Sequence, residues 1–174
     1  AKGFLMELWA MAREEDCKFL PWASDACLTA QAIFDSIEDR IARLIDSTGE
    51  GPIYDQFYDF LRSELSPELN ACREWCQRRL ELGGGLLAAP IEDRHVTLSP
   101  SDFGFHNILR RADGRLVFID FEHFGRDDPA KMVVDFLLHP HKQMAIHQDM
   151  KQRLYKTLID DIDPGGEWLG KRVA

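Results

Sequence analysis

Apolar side chains recur at helical spacing through most of the chain, and one central stretch breaks that rhythm. From Gly3 to Arg13, the residues Phe4, Leu5, Leu8, Trp9 and Ala12 fall three or four apart, which predicts an amphipathic helix, and Pro21 closes the segment that follows. Ser24 then precedes a longer pattern, Ala26, Ala30, Ile33, Phe34, Ile37, Ile41, Leu44 and Ile45, predicting the longest helix, ending near Thr48-Gly49. After the Gly49-Glu50-Gly51-Pro52 break, a shorter periodic stretch covers Tyr54 to Leu65. Another helix is expected from Ser66-Pro67-Glu68 to about Leu82, with serine as its cap and proline in its first turn.

Gly83-Gly84-Gly85 directly follows that helix. A phosphate-cradling loop would need a preceding strand and a lysine or further spaced glycines opening a helix. Here a helix precedes and Leu86-Leu87-Ala88-Ala89-Pro90 follows, so the glycines read as a helix stop. Between His95 and Asp120 the pattern changes to short β-prone runs, Val96-Thr97-Leu98, Ile108-Leu109 and Leu116-Val117-Phe118-Ile119. The last two flank an Asp113-Gly114 turn and predict a hairpin. Helical periodicity resumes after Pro129, through Met132, Val133, Phe136 and Leu137, with a helix end at His139-Pro140-His141. It returns from about His147 to Ile159. The reading is α+β, mainly α.

Length and composition narrow the class. A chain of 174 residues with 45% hydrophobic and 29% charged content predicts a globular protein of one domain, or one and a half, with enough core to need no disulfide or metal for folding. The charge of 21 − 30 = −9, with basic residues scattered among acids, argues against nucleic acid as a partner. No apolar run approaches the ~20 residues needed to cross a bilayer, and no signal-peptide pattern opens the sequence, so no membrane partner and a cytoplasmic location are expected. Cys17, Cys27, Cys72 and Cys76 form no zinc-type array and read as reduced, mostly buried thiols. Cys72 and Cys76 share a helix face, which a packed surface explains better than a metal site.

The residues able to carry chemistry lie in Leu98-Ser99-Pro100-Ser101-Asp102-Phe103-Gly104-Phe105-His106-Asn107-Ile108-Leu109 and in Leu116-Val117-Phe118-Ile119-Asp120-Phe121-Glu122. Asp102 follows a strand, Asn107 opens the hairpin and Asp120 closes it, and a hairpin brings its two ends together. An Asn and an Asp so placed offer hard oxygen ligands for magnesium, and a separate Asp nearby can accept a proton from a hydroxyl. That is the equipment of phosphoryl transfer. Taken singly, Asp102 also suits a loop cap and Asn107 an Asx turn. The combination with the hairpin and Ile119-Asp120-Phe121-Glu122 favours the functional reading. Glu122 fits a second metal or a substrate amine, and fits at least as well a solvated carboxylate or one that supports other site residues from behind, so its role stays open. His106 and His123 lack metal-ligand spacing and read as surface or core histidines.

These segments resemble the aminoglycoside phosphotransferase and choline kinase-like family, whose usual pattern is H-G-D-x-x-x-x-N followed by I-D-[FW]-E and whose fold is related to that of protein kinases. The resemblance makes Asp102 the catalytic base, with Asn107 and Asp120 the residues that bind magnesium and, through it, the nucleotide. Asp127-Asp128-Pro129-Ala130 with Asp135-Phe136 is similar to the family's G-D-P-x-x-D-L segment. The likeness covers about 95–138 well and the earlier helices loosely.

What the resemblance implies is a helical large C-terminal lobe over 1–174 with a small catalytic β-hairpin. Its activity would be transfer of the γ-phosphoryl of ATP or GTP, with Mg2+, to a hydroxyl of a small molecule; the acidic balance favours an amine-bearing acceptor. Two departures stand out. Pro100-Ser101 replaces the motif's His-Gly, and nothing resembles the small nucleotide-binding lobe: all seven lysines (2, 18, 131, 142, 151, 156, 171) fall in expected helices or tails. A missing small lobe, or a partner chain supplying it, is therefore expected, and residues 1–174 by themselves are expected to be inactive and to expose an apolar strip. The rival readings are a pseudokinase or regulatory binding module and a metal-dependent hydrolase.

Overall fold

The computed structural model describes residues 2–46, 49–102, 104–138, 147–166, 168 and 169. They form a mainly helical α+β protein whose chain divides into two compact units, Ala1–Cys27 with Ile91–Ala174, and Leu28–Pro90. The expected helix end at His139-Pro140-His141 lies outside the described residues. Among the described residues no helix is long and apolar enough to cross a membrane.

In the discontinuous unit, helix α1 (Lys2–Met11) buries Leu5 and Leu8 against Leu98, against Met132, Val133, Phe136 and Leu137 of α5 (Pro129–Leu138), and against Leu158 of α6 (Gln148–Ile162). Strand β1 (Thr97–Ser99) runs antiparallel to β4 (Gly125–Asp127), pairing Thr97 with Asp127 and Ser99 with Gly125. The predicted hairpin forms from β2 (Ile108–Arg110) and β3 (Leu116–Phe118), with Ile108 opposite Phe118. Gly114 supplies the positive φ (83°) of its turn, and Asp113 accepts the Arg115 N–H at 3.0 Å. Phe118 stacks on Phe4 of α1 with ring centres 3.8 Å apart, which holds the hairpin to the helical layer.

The unit 28–90 differs from expectation at two helix starts. Helix α2 (Ala30–Asp46) begins well after Ser24, with the Thr29 hydroxyl accepting the Ala32 N–H at 2.9 Å as its cap. Ser66 does not cap a new helix: α3 (Pro52–Phe60) passes through a π-helical turn, Leu61–Leu65, directly into α4 (Ser66–Leu82). A proline inside an α-helix removes one bond and crowds the carbonyl four residues back. The wider turn ahead of Pro67 relieves that crowding, and the Ser66 hydroxyl bonds the Leu61 carbonyl at 2.7 Å. The two long helices, α2 and α4, are equal at 17 residues each.

Gly83-Gly84-Gly85 does end α4. The Gly85 N–H bonds Leu80 O at 2.8 Å, the Gly84 N–H bonds Glu81 O at 3.0 Å, and Gly84 takes φ +75°. This paired closure is the Schellman motif. Within α2 only Phe34 is fully buried, while Ile33, Leu44 and Ile45 of the expected apolar face stay exposed.

Candidate functional site

The segment after β1 turns sharply. The Ser99 hydroxyl accepts the Ser101 N–H at 3.1 Å, and the Asp102 N–H reaches back to Pro100 O at 2.9 Å around Ser101, whose φ is +66°. A three-residue turn with positive φ at a side-chain-bearing residue is strained by about 1–3 kcal/mol and persists only where its surroundings enforce it. Ser99, buried within β1, supplies part of that enforcement.

The turn presents Asp102 to the residues five and four positions on. Asn107, buried at 7% exposure, donates its amide nitrogen to Asp102 O at 3.0 Å and lies 3.5 Å from Asp102 Oδ2. His106 Nε2 lies 3.2 Å from the same Oδ2. Two neighbouring side chains thus orient one carboxylate, whose side chain keeps 46% of its surface open to solvent. Sequence reasoning reads His106 as a surface or core histidine and misses this contact, for which the i, i+4 spacing from Asp102 is the signal.

Asn107 also joins the site to the second hairpin strand, its carbonyl accepting the Ile119 N–H at 3.0 Å. Asp120, the next residue, leaves the strand with φ +66° and is exposed, with no hydrogen bond or ion pair to another described residue. Asp102 and Asn107 are therefore in direct contact, and Asp120 is tied to them one residue away through the backbone. Glu122 is drawn elsewhere, 3.4 Å from His123 Nε2, while His123 Nδ1 lies 3.1 Å from the Ser24 hydroxyl.

The donor set suits a hard cation. With its nitrogen committed to Asp102, Asn107 has its amide oxygen to offer, and Asp120 has a carboxylate. Magnesium is characteristically held by one or two such side chains, with phosphates and water completing its six ligands. Among the described residues no group of three or more His, Cys, Asp or Glu side chains is placed to hold a metal, so none amounts to an all-protein cage.

A second acidic cluster, beyond the hairpin, is structural. Asp128 caps α5: its carboxylate accepts the Ala130 N–H at 2.8 Å, with Pro129 in the first helical position. Asp127 is wholly buried, and its Oδ1 accepts the Cys27 N–H at 3.2 Å and the Asp128 N–H at 2.8 Å. Its Oδ2 has no hydrogen-bond partner and faces Lys131 Nζ at 3.5 Å, which lies closer, at 2.5 Å, to Asp135. Burial pushes the Asp127 carboxyl up to about 6, with Lys131 opposing the shift.

The sign follows from that direction. A carboxyl raised by folding favours the protonated native state, so its contribution is complete below the unfolded value near 4 and is lost as pH rises through about 6. Asp127→Asn keeps an oxygen for both N–H groups and cannot ionise. Relative to the parent protein, this variant is expected to gain roughly 3 kcal/mol between about pH 4 and pH 7. Urea unfolding at those two pH values measures the gain. A difference that does not change with pH would show that Asp127 is not a desolvated carboxylate.

Of the four thiols, only Cys27 is buried; Cys17 and Cys76 are partly covered and Cys72 is exposed, contrary to the expectation of mostly buried cysteines. All four are free, and Cys72 and Cys76 belong to no metal-binding group of the described residues. Comparison of the chain with protein families, with curated proteins and with solved structures finds no match in any of the three.

Proposed function

We propose that this chain is the large C-terminal lobe of a small-molecule phosphotransferase resembling the aminoglycoside phosphotransferase and choline kinase-like family, and that Asp102 is its catalytic base. The observation that carries the reading is the direct contact of Asn107 with Asp102, in a loop tied through Asn107 to the residue before Asp120. Ser101 adds independent support: it stands where the resembled motif has glycine, and it adopts a positive φ that glycine takes without strain.

In this mechanism the Asp102 carboxylate, held by His106 and Asn107, orients the acceptor hydroxyl and takes its proton. The acceptor oxygen forms a bond to the γ-phosphorus of ATP or GTP while the bond to the leaving diphosphate oxygen breaks, and the proton passes from Asp102 to solvent. Asn107 and Asp120 hold magnesium, which supplies charge neutralisation at the phosphates. The exposed apolar residues of the hairpin, Leu109, Leu116, Val117 and Ile119, mark the surface this reading assigns to a nucleotide-binding small lobe, whether from the same protein or a partner chain.

The test is a turnover panel: the natural full-length protein with Mg-ATP or Mg-GTP and hydroxyl acceptors with and without amines, read as diphosphate release. Acceptor-dependent release is the expected result. Nucleotide binding with no release for any acceptor would favour the pseudokinase reading, which the replacement of His-Gly by Pro100-Ser101 suits. Release into water alone, unchanged by acceptors, would favour a hydrolase.

A further inference from the structure

At the end of β1 away from the Asp102 loop lies a cavity of about 380 Å³ whose charge runs against that of the protein. The chain carries a net charge of −9, yet Arg13, Lys18, Arg94 and Arg126 all line this cavity, with Asp93 the one acidic residue among the lining side chains. Val96, Leu98 and Ala12 supply an apolar wall.

Arg13 is the telling residue. Its guanidinium donates only to main-chain carbonyls, those of Trp9, Arg94 (2.9 Å) and Val96 (3.4 Å), and stacks 3.2 Å from the centre of the Trp9 ring. No carboxylate among the described residues pairs with it. Arg13 is exposed, so its guanidinium, positioned by those carbonyls and unpaired with any described carboxylate, is open to an anion entering the cavity. Arg126 is similarly set: it donates to Lys18 O at 3.0 Å, lies 4.2 Å over the Trp22 ring and stands 3.5 Å from an Asp93 carboxylate whose side chain is 93% exposed.

The remaining two cations are free to turn inward, because Lys18–Glu15 (2.7 Å) and Arg94–Glu92 (2.9 Å) are exposed ion pairs of the kind that contribute little to stability. Guanidinium forks match the geometry of phosphate oxygens. The volume falls within the range of small-molecule sites, and its apolar wall suits an organic body behind the anionic head.

We infer that this cavity binds a small phosphate monoester with an apolar body, its dianionic head between Arg13 and Arg126 and its body against Val96 and Leu98. The site is separate from the candidate catalytic loop and does not depend on the phosphotransferase reading.

The experiment is calorimetric titration of the protein with phenyl phosphate at low and at about 150 mM salt, with inorganic phosphate and benzyl alcohol as comparison probes. One site with a Kd below about 1 mM is expected, weakening with salt, with phenyl phosphate tighter than inorganic phosphate and benzyl alcohol silent. Because Arg13 also braces main-chain carbonyls, the deciding variant is Lys18→Gln with Arg94→Gln, both at exposed side chains. It is expected to lose about tenfold in affinity with an unchanged thermal midpoint, and Arg13→Met to abolish binding. Absence of binding at 10-fold that concentration, or affinity unchanged in the double variant, would overturn the site. Equal affinity for inorganic and phenyl phosphate would overturn the part assigned to the apolar wall.

Discussion

Asp102→Asn in the natural full-length protein is expected to lower kcat for phosphoryl transfer by about a hundred- to ten-thousand-fold, the range that a positioned general base contributes. The isosteric amide keeps the loop in place, because Asn107 bonds the main-chain oxygen of residue 102, and that bond does not depend on the carboxylate. It removes the proposed proton acceptor without touching Asn107 Oδ1 or Asp120. Calorimetric affinity for Mg-ATP should therefore stay near that of the parent protein while turnover is lost. Turnover comparable to the parent would reassign the base.

Helices α1, α5 and α6, the hairpin and the glycine stop were legible in the sequence because each is encoded locally, by a 3.6-residue period, an Asp-Gly turn or a glycine with positive φ. Strand β4 was not legible. Its residues, Gly125-Arg126-Asp127, carry no alternation, and its partners are Thr97–Ser99 and the backbone around Trp22, far away along the chain. The same long-range contact displaces the start of α2, since the Asp127 carboxylate holds the Cys27 N–H that a helix from Ser24 would have used. Ser66-Pro67 misled for another reason: a capping serine before proline looks the same whether the preceding residues are loop or π turn. At the candidate site, Asp102 and Asn107 are linked by a short fixed spacing that sequence can show. The cationic cavity draws on three separate segments and has no linear signature.

Gly125→Ala should cost about 4 kcal/mol or more, a loss comparable to the total stability of many domains. A Cβ built at this position would lie 2.4 Å from Ala23 N and 2.6 Å from Pro21 O and Trp22 C, all backbone atoms that no rotamer change can move aside. Those atoms belong to a pairing in which Ala23 N–H bonds Arg126 O at 3.0 Å and Arg126 N–H bonds Pro21 O at 2.9 Å, so relief of the clash breaks the ladder. Gly3→Ala is the control. It lies in α1 with nothing within 4 Å of the added carbon, and a gain of roughly 0.5–1 kcal/mol is expected there. Urea denaturation of both variants gives the comparison. A Gly125→Ala midpoint equal to that of the parent would mean that residues 21–23 do not press on β4 in solution.

The division of one unit between Ala1–Cys27 and Ile91–Ala174 has a consequence for how the protein is made. Helix α1 leaves the ribosome well before α5 and α6, and the side chains that cover Leu5 and Leu8 extend to Leu158. At ~5–20 residues per second, roughly 8 to 30 s of synthesis separate the helix from the last of its partners. The stretch 28–90, contiguous in sequence, has no such delay and can fold while the nascent chain is still growing. Through that interval α1 presents an exposed apolar surface, open to chaperones or to neighbouring nascent chains. Variants that slow closure of the split unit would then reduce soluble yield more than their equilibrium stability suggests.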